Sequence, residues 1–138
     1  MKNENQALEA ARALYELNPA YPVYQNNLAA ALISSETDPD LAIQLSEQTR
    51  ETMPKVPAFA INSAMAYLIK ENSEQARALL TPFIETPKSG LEEVFWNYCW
   101  ARILEIEGDV EAAKERAQAI DIESLFQTQS DRLAALTR

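Results

Sequence analysis

The sequence contains no histidine, one cysteine and two glycines. Without histidine, the side chain that most often serves as a base near neutral pH, and as a transition-metal ligand, is missing. The lone Cys99 permits no internal disulfide. Without a histidine partner it makes neither a thiol dyad nor a thiolate zinc site. Between Tyr98 and Trp100 it is expected to pack as a small hydrophobe. Gly90 and Gly108 cannot build a phosphate-cradling loop, and they are too few for a hairpin-rich β protein. Basic residues are also scarce: 12 Lys and Arg face 21 Asp and Glu, a formal charge of −9. Such a surface repels phosphate backbones and anionic membranes, so no nucleic-acid partner is expected. Unbroken apolar runs such as Leu28–Ile33 are far short of a bilayer span, so no membrane insertion is expected. Residues 1–19 carry no signal-peptide stretch, and a cytoplasmic location is the expectation if the chain is complete. The carboxylate pairs Glu105/Glu107 and Asp38/Asp40 fit solvated helix ends, and Asp38-Pro39-Asp40 lacks the later ligands and glycine of a calcium loop. No metal, no cofactor, no catalytic residue and no enzymatic activity are expected.

What is present is helical. The 138 residues suffice for one domain with a core, and 47% are apolar. Alanine, leucine, glutamate and glutamine dominate, all good helix formers, which predicts an all-α chain. Pro19, Pro54 and Pro87 are spaced by 35 and 33 residues, and between them the pattern reads twice as helix, turn, helix. The units are "AYPVYQNNLAAALISSETDPDLAIQLSEQTRETMP", "KVPAFAINSAMAYLIKENSEQARALLTPFIETP" and "KSGLEEVFWNYCWARILEIEGDVEAAKERAQAI". Each first helix carries a small residue, Ala29, Ala64 or Ala101, with a larger apolar one three positions on, Leu32, Tyr67 or Leu104. Each second helix carries an alanine near its start: Ala42, Ala76, Ala113. Small residues at a crossing let two helix backbones approach closely. Asp38, Asn72 or Ser73, and Asp109 are placed to cap the second helices, and Gly108 stands where a helix end favours a left-handed residue.

This pattern resembles the tetratricopeptide repeat (TPR) family, with degenerate repeats: the family's first-helix tryptophan is replaced by Gln25, Ala60 and Asn97. The resemblance implies a right-handed superhelical stack of antiparallel helix pairs, a TPR-like α-solenoid of about seven helices plus a C-terminal capping helix. Its divisions are a half repeat at 5–19, repeats at 20–54, 55–87 and 88–120, and a capping helix at 121–138. It also implies a protein-interaction module that binds a peptide or partner helix in a concave groove.

Helical geometry opposite the small-residue seam assigns the groove to Val23, Asn26, Asn27, Ala30 and Ile33, then Ile61, Asn62, Met65, Leu68 and Ile69, then Phe95, Tyr98 and Arg102. Ala58 and Glu105 fall on the same stripe. It is unusually apolar for a surface facing solvent, which marks either an interaction site or a face covered by something else, such as the capping helix or a neighbouring subunit. Asn27, Asn62 and Asn97 recur every 35 residues, a spacing compatible with an amide ladder, although Asn97 stands four residues before Ala101 where the others stand two before their alanine. The groove has too little positive charge for the family's carboxylate clamp. In the last segment Ile122, Leu125, Phe126, Leu133 and Leu136 are expected to cover the end of the stack. Glu123, Gln127, Gln129, Asp131, Arg132 and Arg138 are expected to face water. The C-terminus reads as a true end. The first helix lacks a partner before it, and is expected to pair with another copy or to follow further repeats. The rival reading is a structural or self-associating repeat domain, joined through the groove or the N-terminal helix, with the groove filled internally.

Overall fold

The computed structural model describes residues 4–137, which form eight α-helices and two single 3₁₀ turns. The helices are α1 (Glu4–Leu17), α2 (Pro22–Ser35), α3 (Pro39–Thr52), α4 (Pro57–Ile69), α5 (Ser73–Leu80), α6 (Gly90–Ile106), α7 (Val110–Gln118) and α8 (Gln127–Thr137). No strand occurs among the described residues. Helix α1 packs on α2, and the chain then forms three helical hairpins, α2–α3, α4–α5 and α6–α7. Successive first helices lie side by side, α2 against α4 and α4 against α6.

Prolines set several of the starts. Pro22, Pro39 and Pro57 occupy the first turn of α2, α3 and α4, where a missing N–H costs nothing. Side chains cap the second helices. Asp38 accepts from the Leu41 N–H at 3.3 Å, Asn72 from Gln75 at 3.1 Å and Asp109 from Ala112 at 3.2 Å. Each satisfies a backbone donor that the helix leaves unpaired.

All three hairpins turn in the same way. The N–H groups of Thr37, Asn72 and Asp109 reach back to the carbonyls of Leu32, Tyr67 and Leu104 at 3.1, 3.1 and 2.9 Å. Each closure requires a left-handed residue one position earlier: Glu36 (φ 53°), Glu71 (φ 57°) and Gly108 (φ 92°). Glutamate is strained there and glycine is not. A Cβ added at Gly108 meets nothing within 4 Å, so any penalty is one of backbone conformation. Gly108→Ala is therefore expected to cost about 1 kcal/mol or more. Glu71→Gly should add up to about 1 kcal/mol by relieving the same strain. Urea midpoints of the two variants check both signs, and a stabilising Gly108→Ala would contradict the turn geometry.

The burial pattern follows the hairpins. Ala29, Ala64, Ala101, Ala42, Ala76 and Ala113 are all fully buried, so the repeated alanines are where the helices meet. Helices α4 and α6 are buried nearly all round, through Ala60, Ile61, Ser63, Ala64, Met65, Ala66 and Leu68 on α4. Helices α3, α5 and α7 bury only a narrow stripe and present polar faces outward. On α3 the inward polar residues Ser46 and Thr49 satisfy their hydroxyls on the Ile43 and Leu45 carbonyls. Burial of large side chains such as Leu28, Leu45, Leu68 and Ile103 contributes about 1.5–3 kcal/mol each.

Candidate functional site

The face made by α2, α4 and α6 carries the residues assigned to the groove, and it is not open to solvent. Helix α8, from the far end of the same chain, lies across it. Thr128 donates its hydroxyl to the Ser34 carbonyl at 3.1 Å, joining α8 to the end of α2. Gln129 Nε2 points to Met65 Sδ on α4 at 3.5 Å. Phe126, immediately before α8, stacks on Phe95 of α6 with ring centroids 5.5 Å apart. Arg132 pairs with Glu36, with Nη2 to Oε2 at 2.9 Å, and stands beside the Tyr98 hydroxyl. Helix α8 also packs on α7.

The expected groove residues separate accordingly. Ile33, Ile61, Met65, Leu68, Tyr98 and Arg102 are buried. Asn26, Ala30, Asn62, Ile69 and Phe95 are half-buried, while Val23 and Asn27 remain exposed. The terminal segment also departs from its expected orientation. Gln129 does not face water, being 2% exposed, while Arg132 is half-buried and held by Glu36. Gln129 can be buried because both ends of its amide are used. Its Oε1 accepts from the Phe126 N–H at 3.3 Å, closing the first turn of α8, while Nε2 meets Met65. Ile122, by contrast, is exposed rather than covering the stack. Arg138 lies outside the described residues.

The asparagines do not form a ladder of three. Asn62 Nδ2 donates to Asn26 Oδ1 at 3.3 Å, so the rung uses Asn26 and not Asn27. Asn97 Oδ1 accepts from Arg116 Nη1 at 3.0 Å and serves the α6–α7 hairpin. Its position four residues before Ala101, against two in the other pairs, rotates it by about 200° around the helix. Cys99 takes the inward place, fully buried with Sγ 4.0 Å from the Ile61 carbonyl, and burial raises its thiol pKa.

Charge on this face is concentrated where α8 lands. Arg102 is buried and pairs with Glu105, but its Nε has no partner among the described residues. Burial pushes the Tyr98 hydroxyl up to about 12, opposed by the nearby Arg102 and Arg132. The folded state therefore holds the phenolic proton more tightly than the unfolded chain. That contribution is complete below pH 10 and is lost as pH rises through about 12. A rise of this size is worth about 2–3 kcal/mol. Tyr98→Phe is expected to remove this term, so the stability gap between the two proteins should change by that amount from pH 10 to 12. A gap constant across that range in urea titrations would contradict the burial of the hydroxyl.

A second cluster, formed on α5, α6 and the approach to α6, has no counterpart in the sequence reading. Trp96 and Trp100 meet edge to face at 5.8 Å, with Lys88 Nζ 3.7 Å from the centroid of the first ring and Arg77 Cζ 5.1 Å from that of the second. With Ile84 and Arg116, the tryptophans and Arg77 line a cleft of about 350 Å³. The cations are committed within the fold. Arg77 holds Glu107 through bonds of 3.0 and 2.6 Å, Lys88 donates to the Phe83 and Thr86 carbonyls at 2.5 Å each, and Arg116 holds Asn97. The cluster fastens α5, α6 and α7 together. The i, i+4 spacing of the two tryptophans is its visible trace in the sequence.

Among the described residues, no group of three Cys, Asp or Glu side chains is placed to hold a metal ion, and no helix is long and apolar enough to cross a membrane. Comparison of the chain with protein-family models, curated proteins and solved structures finds no match in any of the three.

Proposed function

We propose that this chain is a protein-interaction module of TPR-like helix pairs, whose α2–α4–α6 surface is a groove that receives a helix. The observation that carries this reading is α8 itself: an amphipathic helix of eleven residues lying on that surface, held by the Ser34 carbonyl of α2 and by side chains of α4 and α6. An apolar face that accommodates one helix can accommodate another of similar chemistry. The right-handed curvature of the stack is part of the same proposal and rests on the repeated hairpin turns and alanine contacts.

For α8 to be an exchangeable occupant, it must open more readily than the helices beneath it. Hydrogen exchange on the full chain tests this. Backbone amides of α8 are expected to exchange at least about 100-fold faster than those of α4, which is the order of separation between a locally opening segment and a core helix. Equal protection of α8 and α4 would favour the second reading, a structural repeat domain with its groove filled permanently. That alternative is also supported by an exposed apolar strip at the α1–α2 corner, where Leu14, Leu17, Tyr21 and Val23 remain in solvent. Under it the chain self-associates through this corner, and light scattering should report a dimer that Leu17→Glu dissolves.

A further inference from the structure

The seat of α8 is larger than α8. A cleft runs along each flank of the helix. On the α6 side, one of about 470 Å³ is lined by Glu71, Arg102, Glu105, Ile106, Arg132 and Ala135. On the α7 side, one of about 410 Å³ includes Ala117, Ile120, Ile122, Leu133, Ala134 and Thr137. Between them only Gln129, Leu133 and Leu136 of α8 are buried. Of the α8 residues that line the clefts, Arg132 and Ala135 on one side and Leu133, Ala134 and Thr137 on the other, one in each is an alanine, so a small side chain stands where the surrounding walls leave room for a larger one.

The clefts differ chemically. The α7-side wall is mostly apolar. The α6-side wall is charged and includes Arg102, which is 7% exposed and whose Nε lacks an acceptor among the described residues. A buried donor without a partner is costly, and a ligand that supplies the acceptor recovers that cost.

We infer that the groove is shaped for a partner helix that shares the α8 framework but carries larger groups at the two alanine positions. This inference rests on the groove reading above. The framework is Arg-Leu-x-x-Leu, as in Arg132, Leu133 and Leu136: the arginine meets Glu36 and the leucines enter the core. The residue at the place of Ala134 is a long apolar one such as methionine, filling the α7-side cleft. The residue at the place of Ala135 carries a carbonyl acceptor, such as glutamine, reaching toward Arg102. The occupant is thus an amphipathic helix of another protein, with α8 as its smaller internal stand-in.

The test uses the full chain carrying Leu133→Asp, which weakens the resident α8, and two labelled peptides spanning residues 126–137. One peptide has the native sequence; the other carries Ala134→Met and Ala135→Gln. Fluorescence anisotropy is expected to show the substituted peptide binding at least about tenfold tighter than the native one, and losing that binding when its arginine is also replaced by glutamate. Equal or weaker binding of the substituted peptide overturns the inference while leaving the groove reading intact. If the variant loses the signal of about one helix and no more, and neither peptide binds, the groove reading itself fails. Should Leu133→Asp prevent folding, the full chain with Ala134→Met and Ala135→Gln decides the matter. Its melting midpoint is expected to rise by about 2–4 °C, as cavity filling does, and a midpoint unchanged or lowered overturns the inference.

Discussion

Replacing Leu133 by aspartate is expected to release α8 and lower the stability of the chain by about 3–5 kcal/mol. Leu133 is 1% exposed and is the most deeply buried side chain of α8. The loss has two parts: the apolar burial of the leucine, about 2 kcal/mol, and a carboxylate among neighbours that, of the described residues lining the cleft there, include no cation. Arg132, the nearest cation on the helix, is already held by Glu36 and faces the other flank. Detaching the helix is easier than burying the charge, so the outcome is local. The spectrum should lose about one helix of signal, a hydrophobic dye should bind to the uncovered Met65–Tyr98 face, and α2–α7 should still unfold cooperatively. A variant with wild-type midpoint and no dye binding would show that α8 does not sit where it is described.

Ala64→Leu is expected to cost about 3 kcal/mol or more, at the upper end for overpacking. Ala64 is fully buried in the middle of α4, a helix that touches α2, α3, α5 and α6. The added side chain has no direction in which to relax, because every face of α4 meets another helix. Ala78→Leu, on the exposed surface of α5, is the control and should change stability by less than about 0.5 kcal/mol. If Ala64→Leu is as mild as the control in chemical denaturation, the alanines are not the points of closest helix approach.

The parts of the fold legible in the sequence are those decided locally. Asp38, Asn72 and Asp109 reveal helix starts because capping needs only a short polar side chain before an apolar run. The small residues at Ala29, Ala64 and Ala101 reveal the seam because their period is that of the repeat. Glu36 and Glu71 were invisible as left-handed turn residues, since glutamate does not announce the conformation that Gly108 does. The groove residues are legible as a stripe, but the sequence leaves open whether that stripe is an open site or a covered face. An amphipathic pattern tells which side of α8 seeks cover and not which surface supplies it. The contacts that decide this, Thr128 with Ser34 and Arg132 with Glu36, join residues 94 and 96 positions apart. Gln129 misleads for a related reason: amides usually favour water, and this one is satisfied only by a tertiary neighbour and its own helix end.

Those same distant contacts change how the molecule comes apart. A row of hairpins joined only neighbour to neighbour frays from its ends inward, each unit loosening without the consent of the rest. Here the last helix is tied back to the first hairpin, so the row is closed like a buckled belt. While the buckle holds, the two ends steady each other; once α8 lifts away, both are free to loosen together, and the middle is the last to open.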